Sequence, residues 1–220
     1  MYRVVDNFLP EQDFKLIQSW TIQHEDANDV QKWRPQLLTS NGVTINQPKV
    51  KIGIGWPVQN PNHCLMSLLN KIVEYLNIDE NKQLFGLDES ENYIHEFGCQ
   101  MYRYKHGTGI LLHKDSDGIQ DKGKRFGITY YINDVWEHNW GGELVIYSGG
   151  QNNFSHKETW EIPADLEIEA SIIPKANRLV VVDGNWHKVN PNLNKEVDRV
   201  TIQTFVTYRG TQLHNVNFTT

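Results

Sequence analysis

The segment RFGITYYINDVWEHNWGGELVIYS, residues 125–148, decides the fold class. It holds two runs rich in β-branched and aromatic side chains, and the polar stretch between them contains Asn133, Asp134, Gly141 and Gly142. Runs of this composition predict β-strands, whereas Asn, Asp and Gly predict turns. The segment therefore predicts two consecutive strands joined by a loop.

The same pattern continues on both sides of this segment. Further runs of strand composition are YIHEFGCQMYRY, GILLHKD, ASIIPKANRLVVVDG and RVTIQTFVTYRG. Strands that recur at such intervals, without long helices between them, indicate an antiparallel sandwich or barrel. We therefore predict a mainly β fold with N-terminal helices, whose core is a double-stranded β-helix (jelly roll) over about residues 92–208.

Residues 1–90 are predicted to supply helices and loops that support this core. YRVVDNF has strand composition, and Pro10 suits the first turn of a helix in which Phe14, Ile17 and Trp20 keep helical spacing. The closely spaced Gly, Asn and Pro residues that follow this helix predict loops with short strands.

A second helix has the clearest helical pattern in the chain. From a candidate N-cap at Asn62, the segment PNHCLMSLLNKIVEYLN places leucine, isoleucine and valine at helical spacing. No Ser/Gly-rich, Pro-rich or repetitive tract divides the sequence. We therefore predict one domain over residues 1–220, with a C-terminal tail at 209–220.

Composition restricts the classes of function. The net charge of −6, with 22% charged residues, argues against nucleic-acid binding through bulk attraction to phosphates. The N-terminus lacks the basic start and apolar core of a signal peptide, and no apolar run approaches membrane-spanning length. Cys64 and Cys99 are too few for a disulfide framework. We therefore expect a cytoplasmic, soluble protein without nucleic-acid or membrane partners.

The run GILLHKDSDG raises the question of a metal site. Side chains two apart in a strand share a face, so His113 and Asp115 can converge on one ion while Lys114 points away. A short His-x-Asp motif also arises by chance, and the chain has a second copy at His24 and Asp26. That copy has polar neighbours and predicts a solvated face, whereas His113 follows an apolar strand.

His187 is the best candidate for a third ligand. It follows RLVVVDGNW, an apolar run that stops at Asp-Gly-Asn, and so has the strand-end setting of His113. The remaining histidines lie in polar loops, at a helix start, before the motif or in the tail: His63, His95, His106, His138, His156 and His214. Two His and one carboxylate with open positions suit a non-haem Fe(II) oxygenase better than a closed structural zinc site.

Several motifs occur in a specific order across about residues 92–208. They are QMYRYKHGTG, HKD, ITYYIND with GGELVIY, IIPKANRLVVVDG, His187 and RVTIQTF. In this order the chain resembles the Fe(II)/2-oxoglutarate-dependent oxygenases, and within them the prolyl 4-hydroxylase-like group. The N-terminal VVDNFLPEQDFKLI is also similar to the start of proteins in that group.

The resemblance implies a cofactor, a cosubstrate and catalytic residues. The cofactor is Fe(II), held by His113, Asp115 and His187, and the cosubstrates are 2-oxoglutarate and dioxygen, with ascorbate in support. Arg199 matches the basic residue that pairs with the distal carboxylate of 2-oxoglutarate, to which a guanidinium can bind in bidentate fashion.

Three further positions are carried over from the family. Tyr131 matches a phenol that hydrogen-bonds the same carboxylate, and Thr201, two residues beyond Arg199, shares its strand face. Tyr104 matches an aromatic residue beside the iron and the substrate.

The implied activity is hydroxylation of an unactivated C–H bond, with formation of succinate and CO2. A prolyl residue in a peptide or protein is the first candidate substrate, and a free amino acid or other small molecule is the second. Many prolyl 4-hydroxylases have Lys at the position of Arg199 and Tyr at the position of Ile110. The chain differs from that group at these two positions, and the difference bears on the peptidyl-proline assignment and not on the use of 2-oxoglutarate. Substrate selection is expected in the loops 24–61 and 134–162.

Two other interpretations remain open from the sequence. Arg199 could be a sheet-edge residue paired with Asp198 or Glu196. The fold could also serve as a non-catalytic metal-binding jelly-roll module, or as a cupin-like metal protein that does not use 2-oxoglutarate.

Overall fold

The computed structural model describes residues 1–25, 33–35, 39–40, 43–44, 49–51, 64–86, 93–115, 125–150 and 164–208. The predicted helix cap at Asn62 and the predicted tail at 209–220 lie outside these ranges. Of the predicted substrate loops 24–61 and 134–162, only parts belong to the described residues.

The described residues form three α-helices and two main groups of strands. The helices are α1 (Glu11–Glu25), α2 (Cys64–Leu76) and α3 (Asp79–Leu84). The strands of the first half are β1 (Tyr2–Val5), β2 (Trp33–Pro35), β3 (Thr39–Ser40), β4 (Val43–Thr44) and β5 (Lys49–Lys51). The strands of the second half are β6 (Tyr93–Tyr104), β7 (Ile110–His113), β8 (Arg125–Tyr131), β9 (Leu144–Ser148), β10 (Glu167–Ile172), β11 (Arg178–Asp183), β12 (His187–Val189) and β13 (Arg199–Tyr208).

Two antiparallel sheets carry the architecture. The larger has the strand order β1-β11-β8-β13-β6-β5-β2, and the smaller has the order β10-β9-β12-β7. Strands β3 and β4 form a separate hairpin. The prediction of a mainly β, jelly-roll-like fold with N-terminal helices is confirmed. That residues 1–220 form a single domain stays a prediction.

The larger sheet separates two hydrophobic layers because successive strand side chains point to opposite faces. On β8, Phe126, Ile128 and Tyr130 face the helices. They pack with the buried stripe of α2, which has the helical spacing expected of one apolar face. That stripe consists of Leu65, Leu68, Leu69, Ile72 and Leu76.

The opposite face of the larger sheet looks toward the smaller sheet. Tyr131 on β8 and Tyr104 on β6 pack in this layer with Leu144 and Ile146 of β9 and Val189 of β12. Because β8 and β13 lie in the interior of the larger sheet, their inward side chains are enclosed between the two sheets. The candidate site lies in this layer.

The apolar run before His187 forms β11 and ends at Asp183, and His187 follows as the first residue of β12. The chain reverses at Gly184, which has φ of 60°, a conformation that glycine adopts without steric cost. The reversal moves His187 out of the larger sheet and into the smaller one, where it pairs with His113.

None of the described helices is long and apolar enough to cross a membrane.

Candidate metal and cosubstrate site

The three predicted metal ligands lie together between the sheets. One ligand atom from each of His113, Asp115 and His187 lies within 4.8 Å of the other two. The Asp115 carboxylate has Oδ1 3.5 Å from Nε2 of His113 and Oδ2 3.4 Å from Nε2 of His187. Among the described residues this is the group of His, Cys, Asp and Glu side chains that could hold a metal ion.

Backbone carbonyls fix the orientation of both imidazoles. Nδ1–H of His113 donates to the carbonyl of Leu111 at 2.7 Å, and Nδ1–H of His187 donates to the carbonyl of Asn185 at 2.9 Å. A carbonyl oxygen only accepts, so each Nδ1 carries the proton, and each neutral ring presents the Nε2 lone pair to the third ligand. Such a hydrogen bond behind a metal-binding histidine sets its tautomer and its orientation.

The two histidines differ in their proton affinity. Burial lowers the pKa of His113, but the hydrogen bond and charge of Asp115, with the Leu111 carbonyl, outweigh burial and raise the pKa above its usual value. Burial dominates at His187 and lowers its pKa, with the charge of Asp115 opposing and that of His113 reinforcing the shift. The donor set therefore has two imidazoles and one carboxylate, which suits a divalent transition metal with open positions.

Asp115 touches the larger sheet at a glycine. A Cβ built on Gly127 would lie 2.3 Å from Oδ2 of Asp115, closer than real Cβ contacts come. Asp115 lies two residues beyond the end of β7, and its carboxylate projects from the smaller sheet onto β8. The cluster therefore bridges both sheets, with its histidines on one and its carboxylate against the other.

Arg199 is a fully buried cation on the inward face of β13. Its exposed fraction is 0%, and its Nε and Nη1 atoms have no hydrogen-bond partner among the described residues. Among the described residues, neither alternative partner, Asp198 or Glu196, forms an ion pair with Arg199, and Asp198 pairs with Arg103. A buried charge without a partner is costly, so this geometry calls for an anionic ligand.

Two tyrosine rings hold the guanidinium. The Arg199 Cζ atom lies 4.4 Å from the ring centroid of Tyr104 and 5.0 Å from that of Tyr131. Nη2 also donates to the hydroxyl of Tyr131 at 3.4 Å. Burial raises the pKa of both phenols against the opposing charge of Arg199, so both remain neutral donors.

Thr201 completes the polar group on this face. It is fully buried, pairs with Tyr131 in the sheet register, and its Oγ1 has no hydrogen-bond partner among the described residues. The structure therefore brings together the four residues carried over from the family, Arg199, Tyr131, Tyr104 and Thr201, and leaves unsatisfied donors on Arg199 and Thr201. These donors are suited to carboxylate oxygens.

The sequence interpretation missed residues that shape this site. A Cβ on Gly142 would lie 2.9 Å from Cδ of Arg199 and 3.0 Å from Cζ2 of Trp136, so this glycine lets the loop pack on the arginine side chain. Gln203 donates from Nε2 to the hydroxyl of Tyr104 at 3.2 Å. The sequence contains a signal for each of these residues and for Gly127, which the interpretation also missed. Gly127 is a glycine inside a strand run, Gly142 belongs to a Gly-Gly pair, and Gln203 lies two residues from Thr201 on the same strand face.

Trp186 precedes His187 but does not line the cavity beside the metal-ligand candidates. Its side chain is buried, and a Cβ on Gly150 would lie 2.8 Å from its Nε1 atom. The cavity beside the three metal-ligand candidates is lined instead by other residues. They include Gly127, Thr129, Leu144, Gln203 and Phe205.

Comparison with known proteins identifies the same region. A family model described as the 2OG-Fe(II) oxygenase superfamily matches residues 99–207. This range contains the His113, Asp115 and His187 cluster as well as Arg199, Tyr131, Tyr104 and Thr201.

Solved structures share the fold at low sequence identity. A prolyl-4-hydroxylase from Pseudomonas putida is 18% identical with a TM-score of 0.59, covering 94% of this chain and 91% of that one. A prolyl hydroxylase from Trichoplax adhaerens, solved with a hypoxia inducible factor peptide fragment, is 17% identical with a TM-score of 0.61, covering 94% and 83%. SnoK, a non-heme alpha-ketoglutarate-dependent carbocyclase from nogalamycin biosynthesis, is 12% identical with a TM-score of 0.64, covering 94% and 79%.

The donor set and the enclosed cation fit the cofactors of this family. Two Nε2 lone pairs and a carboxylate face a common point, and unsatisfied Arg199 and Thr201 donors lie on the neighbouring inward face. Residues 99–207 therefore match the 2OG-Fe(II) oxygenase superfamily, and the residues of the site fit an enzyme that uses Fe(II) and 2-oxoglutarate.

Proposed function

We propose that this enzyme hydroxylates an unactivated C–H bond of a prolyl residue in a peptide or protein. We further propose that His113, Asp115 and His187 bind the iron, and that Arg199 binds the distal carboxylate of 2-oxoglutarate. The observation that carries this assignment is a fully buried guanidinium with two unsatisfied nitrogen atoms in the same layer as a three-ligand cluster. A structural metal site or a passive jelly-roll module has no need for a buried anion receptor.

The two histidines and Asp115 are proposed to occupy three coordination positions of Fe(II) on one side of the ion. Their ligand atoms are held by Leu111, by Asn185 and by the contact with Gly127 before any metal arrives. Preorganisation of this kind lowers the cost of assembling the site. Three ligands leave the other positions of an octahedral ion for small molecules.

Arg199 is proposed to orient the cosubstrate. Its free Nε and Nη1 atoms suit a carboxylate, and Tyr131 and Thr201 offer hydroxyl donors beside it. Tyr104 stacks on the guanidinium, and Gln203 holds the Tyr104 hydroxyl, so the arginine has little freedom to turn away. Fixing the far end of 2-oxoglutarate positions its keto acid end, because two anchored points define the orientation of a short molecule.

Bound Fe(II), with 2-oxoglutarate and dioxygen, supplies the oxidising chemistry, in which 2-oxoglutarate becomes succinate and CO2 and one oxygen atom enters the substrate. The protein contributes position and a dry environment. Leu144, Ile146 and Val189 of the smaller sheet cover the site opposite Tyr104 and Tyr131. These apolar side chains exclude water from the layer in which the charged groups act.

The prolyl substrate is supported by the prolyl hydroxylases with this fold. One of those proteins was solved with a peptide fragment. SnoK shares the fold and acts in nogalamycin biosynthesis, which favours a small molecule as the second candidate substrate. Arg199 and Ile110 depart from many prolyl 4-hydroxylases, so the peptide assignment requires its own test.

A substrate screen tests the assignment. The protein would be incubated with Fe(II), ascorbate and 2-oxoglutarate against panels of proline-containing peptides, free amino acids and small metabolites. We expect the mass of a proline-containing peptide to increase by one oxygen atom, with succinate formed in equal amount. A matched peptide with alanine for proline should remain unchanged. Oxidation of a free amino acid or metabolite, with no peptide modified, would replace the prolyl assignment by the second candidate.

A further inference from the structure

Gly127 occupies an unusual position for a glycine. It lies in the middle of β8, an interior strand of the larger sheet, where glycine weakens a strand because it has no side chain to pack. Its backbone does not adopt a positive φ, so the strand conformation itself does not require glycine. A glycine in such a place often marks a close approach of another group.

The neighbours of Gly127 are large on the same face. In the sheet register it pairs with Val182 of β11 and with Phe205 of β13, and all three residues line the cavity beside the metal-ligand candidates. The missing side chain therefore leaves a gap between a valine and a phenylalanine. We call these three residues the Gly127 notch.

The Asp115 carboxylate fills the notch. Its Oδ2 would lie 2.3 Å from a Cβ at position 127, and its Cγ would lie 3.4 Å from that atom. Oδ2 is also the atom that lies 3.4 Å from Nε2 of His187. A methyl group at position 127 would therefore displace the oxygen that completes the cluster.

Asp115 lacks the strand pairing that fixes the backbone of the two histidines, so the position of its carboxylate depends more on packing at the notch. His113 and His187 belong to paired strands, and carbonyls hold their rings. Asp115 follows the end of β7, outside the ladder of the smaller sheet. Its contact with the larger sheet at Gly127 is thus a packing contact that helps to hold its carboxylate between the two imidazoles.

We propose that Gly127 is a positioning residue for the metal site, and that the absence of its side chain creates the seat of the Asp115 carboxylate. This inference rests on the proposed role of Asp115 as a metal ligand. Gly127 does not touch the metal and acts through Asp115. The position is therefore restricted to glycine by the metal site and not by the β-sheet.

Whether Gly127→Ala raises or lowers the stability of the fold should depend on the presence of the Asp115 carboxylate. Where the backbone allows it, replacing glycine by alanine stabilises a protein, because the unfolded chain loses conformational freedom. With Asp115 present, the added methyl group meets Oδ2, so the variant should be less stable than the parent protein. In the Asp115→Ala background the carboxylate is gone, and the same substitution should be neutral or stabilising.

Two measurements on the full chain test this inference. Mn(II) affinity would be measured by electron paramagnetic resonance without cosubstrate, and the Tm of the metal-free protein by calorimetry. We expect Gly127→Ala to weaken Mn(II) binding about ten- to a hundredfold, the usual effect of disturbing a group that orients a metal ligand. We also expect it to lower Tm in the parent protein and to leave Tm unchanged or raised in the Asp115→Ala background.

The possible failures are distinguishable. Parent-like Mn(II) affinity in Gly127→Ala would overturn the inference while leaving the metal site intact. An equal loss of Tm in both backgrounds would also overturn it, because the added methyl group would then clash with something other than Asp115. Failure of the unsubstituted protein to bind Mn(II) would instead contradict the proposed function itself.

Discussion

His113 and His187 lie directly opposite each other on the adjacent strands β7 and β12, with ring centroids 4.3 Å apart and ring planes at 54°. Sheet pairing thus joins two residues that are far apart in the sequence. The turn at Gly184 makes this possible, because it returns the chain from the larger sheet to the smaller one. Asp115 then reaches both rings from the end of β7.

Removal of the carboxylate should abolish catalysis. Asp115→Ala leaves two imidazoles without the anion that offsets the charge of the metal, and His113→Ala removes one of the imidazoles. We expect neither variant to convert 2-oxoglutarate to succinate above background, with or without substrate. Succinate release would be measured by mass spectrometry, and turnover like that of the parent protein in either variant would remove these residues from the catalytic site.

Arg199→Ala should mainly raise the 2-oxoglutarate concentration required for turnover. A charge-assisted hydrogen bond contributes about 1.5–3 kcal/mol, which corresponds to a loss of affinity of about ten- to a hundredfold. Arg199→Lys keeps the charge but loses the planar fork, so we expect an intermediate requirement. Mn(II) affinity in the absence of 2-oxoglutarate should stay unchanged. An unchanged 2-oxoglutarate requirement in Arg199→Ala would exclude this residue from the cosubstrate site.

The adjacent tyrosines Tyr130 and Tyr131 offer a matched pair. Tyr131 faces Arg199, whereas Tyr130 faces the helices and its hydroxyl donates to Asn177 Oδ1 at 2.7 Å. Tyr131→Phe should raise the KM for 2-oxoglutarate with little change in stability. Tyr130→Phe should lower the free energy of unfolding by about 0.5–1.5 kcal/mol through the lost hydrogen bond, with KM unchanged. Reversal of this pattern in steady-state kinetics and urea unfolding would show that the faces are assigned wrongly.

The ion pairs of Asp6 with Arg178 and Lys175 should make the stability of the fold depend on pH. The hydrogen bond from Arg178, followed in importance by opposing burial and by Lys175, lowers the pKa of Asp6 from 3.8 to about 2. Because the folded pKa lies below the unfolded one, Asp6 stabilises the fold above 3.8, and this stabilisation is lost as the pH falls toward about 2. The Asp6 side chain is 35% exposed, so solvent screens the interaction and we expect a modest effect.

Thermal unfolding of Asp6→Asn across this pH range measures the effect. The variant should have a lower Tm than the parent protein at neutral pH, and the difference should shrink as the pH falls below 3.8. A Tm difference that is independent of pH would mean that the carboxylate charge does not stabilise the fold.

Much of the fold and of the site could be predicted from the sequence. The proximity of His113 and Asp115 could be predicted because the two residues are only two apart, although β7 ends at His113 and strand alternation does not extend to Asp115. Arg199, Tyr131, Tyr104 and Thr201 were assigned through family motifs, and the structure brings them together.

The remaining features depend on contacts between distant strands. Gly127 is adjacent to Asp115 only because β8 lies across the interior from the end of β7, and no local pattern encodes that distance. Gly142 likewise packs against Arg199 from the loop before β9. The pairing of His187 with His113 likewise depends on the change of sheet that follows Gly184. Such effects arise from register and packing, which sequence periodicity does not contain.

The most direct test is the thermal shift of the metal-loaded protein on addition of 2-oxoglutarate, with Mn(II) in place of Fe(II) to prevent turnover. We expect 2-oxoglutarate to raise Tm strongly in the presence of Mn(II), by mass action on the folded state. We expect this metal-dependent increase to disappear in Asp115→Ala and to be much smaller in Arg199→Ala. A parent protein that 2-oxoglutarate does not stabilise, or an equal shift in all three proteins, would contradict the proposed site.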